Sequence, residues 1–244
     1  MRYEKIIIFI LIVCVLLAAV QVFLFWELKE PTNESTFTEL SITDEAVQEL
    51  YEKANPSEDY DTMQDVYARG NFSNQFILGT AIVSILRNNP QDTVSESDVN
   101  VAIKQIFGTI TYAHESRYII SDEVCGFQYD KNAHLYTILK GCQKNGDSKL
   151  LRKIMSARKS DTEYIITEKL ITSETTYDEL NQTYTITVYD DIDKSHQIET
   201  LTYMEGEEVP VVEIEDHIEQ ASTYEYHFVF DGETFIYKAI EKVS

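Results

Sequence analysis

The sequence predicts an α+β domain standing behind one membrane-spanning helix. Three observations carry the prediction. Residues 6–26 form an apolar run, IIIFILIVCVLLAAVQVFLFW, with Gln21 its only polar member. Residues 41–108 then place apolar side chains at helical spacing. After Gly108 the texture changes to Tyr, Thr, Ile and Val recurring with period two, the alternation of half-buried strands.

The apolar run comes first. At about 1.5 Å per residue it is long enough to cross a hydrocarbon core of about 30 Å. Arg2 and Lys5 precede it, whereas Lys29 stands between Glu27 and Glu30 after it. That asymmetry puts residues 1–5 in the cytoplasm and everything after Trp26 outside, as a single-pass protein of the cell membrane. The run is longer than the core of a cleaved leader, and Leu17-Ala18-Ala19 lacks the first small residue of a cleavage site. An uncleaved signal anchor is therefore expected. Cys14 follows Val13, which is not the small residue a lipobox needs, and reads as an apolar member of the span. Residues 27–40, ELKEPTNESTFTEL, are polar and read as a linker.

Residues 41–108 form the expected helical part. Ser41-Ile42-Thr43-Asp44 resembles a capping start, Ala46, Val47, Leu50, Tyr51 and Ala54 share one helix face, and Asn55-Pro56 ends it. Tyr60 to Gly70 reads as a short helix through Met63, Val66 and Tyr67. Asn74 is the expected cap of a third helix, apolar almost all round from Phe76 to Leu86 and so expected at the centre of the core. Ser95, with Asp98 three residues on, caps a fourth that buries Val99, Ile103, Ile106 and Phe107 and stops at Gly108.

Residues 109–244 form the expected antiparallel part of the same ectodomain. Strands are expected at Thr109–Tyr118, Val124–Tyr129, Leu135–Leu139, Arg152–Arg158, Glu163–Thr172, Thr183–Tyr189 and Glu199–Tyr203, with a hairpin from Thr223 to Val243. Asp231-Gly232 reads as a two-residue turn. That turn sets Phe228 opposite Phe235, Tyr226 opposite Tyr237, and Glu225 opposite Lys238. The expected fold is helices packed in the concavity of a curved antiparallel sheet, which resembles the cystatin-like and NTF2-like architecture. The short N-terminal head, "VNVAIKQIFG" closing the helical part, and the tyrosine-rich final hairpin resemble uncharacterised single-span exported proteins of low-GC Gram-positive and mollicute-like bacteria. That resemblance implies a bacterial exported protein and carries no activity.

Outside the membrane, thiols tend to be oxidised. Cys125 and Cys142 bracket an expected hairpin, and a disulfide between them is favoured over a free pair or a zinc site, which would want further ligands at closer spacing. If Asp130 to Ala133 forms the turn, Cys125 faces Ile138 and Cys142 lies about 13 Å further along. The bond then needs a shifted register, with Tyr129 opposite Ile138, or a bend at Gly126 or Gly141. The formal charge of −22 repels nucleic acid and excludes it as a partner.

Chemistry-bearing motifs are weak. Ser156-Ala157-Arg158-Lys159 matches Ser-x-x-Lys but lies in an expected strand with no Lys-Thr-Gly after it. His114-Glu115 begins like a zinc-protease motif, yet position 118 is Tyr. Asp190-Asp191-Ile192-Asp193-Lys194-Ser195-His196 is the best cation candidate, but an EF-hand loop from Asp191 would need Gly at 196 and Glu at 202. A solvated turn is the simpler reading. The five histidines are scattered singly, and the sixteen tyrosines suit either half-buried strands or a carbohydrate or peptide groove. No catalytic, cofactor or metal residue is singled out. The leading expectation is a non-enzymatic, membrane-tethered module that holds a protein or envelope component through its sheet face or acidic loops. A scaffold subunit of an envelope secretion or conjugation machine and an envelope hydrolase are the alternatives. Converging carboxylates or histidines in a pocket would mark the enzyme; an exposed aromatic patch would mark the binding module.

Overall fold

The computed structural model describes residues 36–55, 63–64, 66–67, 72–118, 125–140 and 148–243. The expected anchor at residues 6–26, most of the expected linker, and Cys142 lie outside them. Among the described residues no helix is long and apolar enough to cross a membrane.

Antiparallel sheet dominates. Of the described residues 42 % are strand and 25 % helix. This overturns the α+β expectation of helices on one curved sheet, and with it the cystatin-like and NTF2-like analogy. The strands divide between two sheets. The larger contains β1 (Thr38–Leu40), β6 (Ser148–Lys159), β7 (Glu163–Asp178), β8 (Thr183–Tyr189), β9 (Gln197–Met204), β10 (Ser222–Phe230) and β11 (Phe235–Lys242). The smaller joins β2 (Thr93–Ser95), β5 (Leu135–Leu139), β4 (Gly126–Asp130) and β3 (Arg117–Tyr118) in that order. A period-two pattern marks a strand but not its neighbour, so the division was invisible along the chain.

The expected boundaries shift accordingly. Thr38–Leu40, within the expected linker, pairs with Ala157–Lys159 of β6. Thr93–Ser95, within the expected helical part, pairs with Leu135–Thr137 of β5. The expected strand Thr109–Tyr118 is regular only at Arg117–Tyr118.

β7 organises the larger sheet. One of its sides pairs with β6. The other pairs with β10 from Glu163 to Leu170, then with β8 from Thr172 to Asp178. Two cores follow from that split. The main one joins Phe76, Leu78, Ile82, Ile103 and Phe107 of the helices to Ile166, Leu170, Tyr226 and Phe228 of the sheet. The smaller one joins Ile171, Ile186 and Val188 to Ile214 and Ala221, which lie beyond β9.

Three helices are described. α1 (Glu45–Ala54) is capped by Asp44, whose carboxylate accepts the Ala46 N–H at 2.9 Å. α2 (Asn74–Asn88) is capped by Ser73 rather than by Asn74. Asn74 instead clasps a neighbouring segment: its amide donates to the Ala113 carbonyl at 2.9 Å and accepts the Ala113 N–H at 2.7 Å. α3 (Glu96–Phe107) starts and ends where its sequence says, at Ser95 and Gly108. Gly108 has φ +67 and ψ −137, a conformation closed to residues with a Cβ.

One device closes three hairpins. Asp130 Oδ1 accepts the Asn132 and Ala133 N–H groups, Asp178 Oδ1 those of Leu180 and Asn181, and Asp231 Oδ1 those of Glu233 and Thr234. A carboxylate that holds two later N–H groups needs a loop longer than two residues. The final hairpin therefore turns over residues 231–234, pairing Phe230 with Phe235. A bulge between His227 and Phe228 then puts Phe228 opposite Tyr237 and Tyr226 opposite Ile240, not Phe235 and Tyr237 as expected. Glu225 faces Glu241 rather than Lys238, and its charge is met by Arg158 at 3.0 Å. The β4–β5 turn, 131–134, pairs Tyr129 with Tyr136, between the two registers considered from sequence.

Candidate functional site

Four clusters gather the residues that could carry function. The first is closed. Glu168, on β7, is fully buried beneath α1. Its Oε1 accepts the Tyr67 hydroxyl at 2.7 Å and the Tyr226 hydroxyl at 2.9 Å, and its Oε2 accepts that of Tyr51. Asn55 accepts from Tyr226 at 3.1 Å and from the Arg152 guanidinium at 2.5 Å. Burial first, and the Glu168 charge second, push the Tyr67 and Tyr226 hydroxyls far above their ordinary range, so they remain neutral donors. With both oxygens taken, Glu168 is a structural acceptor.

The second cluster is the acidic loop after β8. Asp191 is buried, not solvated. Its Oδ1 accepts the Ile192 N–H at 2.7 Å and the Tyr224 hydroxyl, and its Oδ2 meets Lys242 Nζ at 2.5 Å. The Lys242 ammonium occupies the place a cation would take. Among the described residues no group of three or more His, Cys, Asp or Glu side chains is arranged to hold a metal.

The third cluster is polar and half-open. Glu96, first residue of α3, accepts the Tyr129 hydroxyl and lies 2.7 Å from His134 Nδ1. His114 Nε2 is 3.9 Å from the other Glu96 oxygen, and its Nδ1 is 2.5 Å from the Tyr136 hydroxyl. The Glu96 N–H also donates to the His134 carbonyl at 2.9 Å, fastening the β4–β5 turn to the helix start. The hydrogen bond to Glu96 pushes the Tyr129 hydroxyl up to about 12. The two histidines thus meet around one carboxylate, though nothing in their sequence spacing joins them. Each already has a protein partner, and the cluster ties three segments together.

The fourth cluster opens outward at one end, with Tyr177 exposed and Tyr184 and Tyr203 half-buried. Tyr177 of β7, Tyr184 of β8 and Tyr203 of β9 are direct register partners. Their rings form a row: Tyr177 and Tyr184 lie 4.5 Å apart between centroids, and Tyr184 and Tyr203 stack at 5.1 Å with 13° between planes. Tyr177 is 43 % exposed, and Leu180 in the β7–β8 turn and Met204 at the end of β9 are exposed beside it. The row continues the face of Ile171, Ile186 and Leu201, with Tyr203 packed against the smaller core. Carboxylates surround it. Glu205 accepts the Tyr177 hydroxyl at 3.3 Å; burial first and the Glu205 charge second raise that hydroxyl above its ordinary value.

Tyr177 lies beyond Thr172, the expected end of its strand, because β7 runs on to Asp178. The alternation of Ile171, Ser173, Thr175 and Tyr177 was the available signal. Other candidates are placed as follows. Ser156 and Lys159 lie on β6, away from any helix start. His227 pairs with Glu163 at 2.7 Å. Cys125 is buried, is not a free thiol, and donates its N–H to Leu139 at 2.9 Å. Its expected partner Cys142 lies outside the described residues, so their pairing remains a proposal.

The sequence matches no family model, no curated protein resembles it, and no solved structure matches its fold.

Proposed function

We propose that this chain is a membrane-tethered, extracytoplasmic binding module, and that the Tyr177–Tyr184–Tyr203 row is its contact platform. The row is the observation that carries the reading. Three aromatic faces aligned across adjacent strands, with exposed apolar neighbours, form a surface that solvent alone gives no reason to keep. Tyrosine supplies a large, stiff contact area with a polar tip, which suits protein or glycan surfaces. The carboxylates of Glu168, Asp191 and Glu96 are already engaged by neighbouring side chains, which favours binding over catalysis. The tether is residues 6–26, and Arg2 and Lys5 before it support an outward-facing C-terminal domain. A Cys125–Cys142 bond belongs to the same reading. It would close a loop of about 18 residues and add about 3 kcal/mol.

The full chain in mild detergent is titrated against a panel of blocked peptides and soluble envelope glycans. A panel member should bind the wild type and lose about tenfold or more in a Tyr177→Ser/Tyr184→Ser variant. A variant that binds as the wild type does, or a wild type that binds no member, overturns the platform. An impermeant thiol reagent should label Ser244→Cys on intact cells, and peptide mass spectrometry without reduction should recover Cys125 joined to Cys142.

A further inference from the structure

The larger sheet has four free edges among the described strands: β1, β11, β9, and the Ser148–Ser156 stretch of β6 that β1 does not reach, which carries Lys149, Arg152 and Lys153. An unpaired edge invites another strand, and proteins blunt it by shortness, charge or proline. β1 is three residues long. β11 carries Lys238 and Lys242. β9, QIETLTYM, has eight residues, no lysine, no proline, and Glu199 as its one charge. It pairs with β8 and with no other described strand. The least guarded edge is thus the one beside the tyrosine row.

Charge singles out what would dock there. From Leu170 to Tyr237 the chain carries seventeen Asp or Glu residues against one lysine, Lys194, and no arginine. Lys194 is engaged with Glu174 at 2.8 Å. Asp178, Glu179, Glu205, Glu207 and Glu208 are all exposed around the row's end of the lobe. Such a field attracts cations and repels acidic partners. The faces of tyrosine rings attract ammonium and guanidinium groups as well.

We propose that an extended basic peptide segment of a partner protein adds to β9 as a further antiparallel or parallel strand. The inference rests on the binding-module reading and names the partner's chemistry. A strand added about 4.8 Å from β9 places one side chain beside Tyr203, as the fourth member of the Tyr177–Tyr184–Tyr203 row. The next residue on that face lies beside Leu201, and the one after beside Glu199. The segment that fits has a lysine or arginine opposite Tyr203, an aliphatic residue opposite Leu201, and a second basic residue opposite Glu199, whose carboxylate also lies 3.0 Å from His217 Nε2. Backbone bonds to the β9 edge supply attachment and the alternate side chains supply selection.

The test uses the full chain in mild detergent and three blocked peptides. One is Thr-Lys-Thr-Val-Thr-Lys-Thr; the second has Glu for both Lys; the third keeps the lysines and has Pro in place of both inner Thr. The basic peptide should bind at least about tenfold more tightly than either control. Added salt should weaken it. It should slow amide exchange within residues 197–204. Glu205→Lys, an exposed change that leaves the cores alone, should weaken the basic peptide and strengthen the acidic one. Equal binding of the basic and acidic peptides, or protection that falls away from β9, overturns the proposal. If a neutral peptide or glycan still binds in a manner lost in Tyr177→Ser/Tyr184→Ser, the platform stands and the basic-strand inference fails. If nothing binds through the tyrosines, both fail.

Discussion

Replacing Glu168 with glutamine keeps the shape of the side chain and removes its charge. The wild-type carboxylate is fully buried and accepts hydroxyls from Tyr51, Tyr67 and Tyr226. It also answers the charge of Arg152. In Glu168→Gln one former acceptor becomes an NH₂ facing hydroxyl donors, and Arg152 loses one of the negative charges that favour its guanidinium. Leaving unsatisfied the buried groups that a charged acceptor had held costs about 3 kcal/mol or more. Arg152 is half-buried, so water offsets part of that, and about 3 kcal/mol is the working figure. That is a large share of the 5–15 kcal/mol typical of a domain. With a urea m-value of about 2 kcal/mol per molar, the midpoint should fall by about 1.5 M. The assay is urea unfolding of residues 36–244, which begin just ahead of β1. A double variant, Glu168→Gln with Arg152→Met, should lose less than the sum of the two single changes, because neither charge is then left alone. A Glu168→Gln midpoint within about 0.3 M of wild type would refute the reasoning, since the carboxylate could not then be the acceptor that joins α1 to β7 and β10.

Three further outcomes follow from single residues. The Tyr237 hydroxyl is buried with no hydrogen-bond partner among the described residues, so Tyr237→Phe should leave stability unchanged or raise it by about 1 kcal/mol, whereas Tyr226→Phe should lower it by about 1–2 kcal/mol in the same melts. Gly108→Ala should cost about 1–3 kcal/mol through its backbone conformation, and its Cβ would come within 2.6 Å of Ile236 Cδ1, a side-chain tip that must move aside. Hydrogen bonds from Tyr129 and then His134 hold the Glu96 carboxyl below its ordinary 4.5; that stabilisation is complete above 4.5 and disappears as pH falls through the lower folded value. The urea midpoints of wild type and Glu96→Gln should therefore differ above pH 4.5 and converge as the pH is lowered through the depressed folded value, and a gap that stays constant on acidification would show Glu96 to be uncoupled from its partners.

What the sequence determined by itself was local. α3 runs between Ser95 and Gly108 because a hydroxyl at its start and a glycine just past its end are signals read within one turn of helix. β5 and β8 fall at their expected residues because their alternation is complete over their own length. Tertiary structure decided whatever depends on a partner distant in the chain. Two sheets form where one was expected because Leu135–Thr137 pairs with Thr93–Ser95, not with the strands that follow it. The final register moved because the Asp231 carboxylate takes up backbone N–H groups that a two-residue turn would have left to the strands, and the β4–β5 register moved because Asp130 stays in its strand opposite Leu135. Glu168 turned inward because three tyrosine hydroxyls, from Tyr51 of α1, Tyr67 and Tyr226 of β10, meet it there, and no local pattern announces such a set of donors. The tyrosine platform belongs to both levels. Period two placed each ring on one face of its strand, but only the pairing of β7, β8 and β9 set Tyr177, Tyr184 and Tyr203 side by side, because cross-strand neighbours are chosen by register and not by position in the chain.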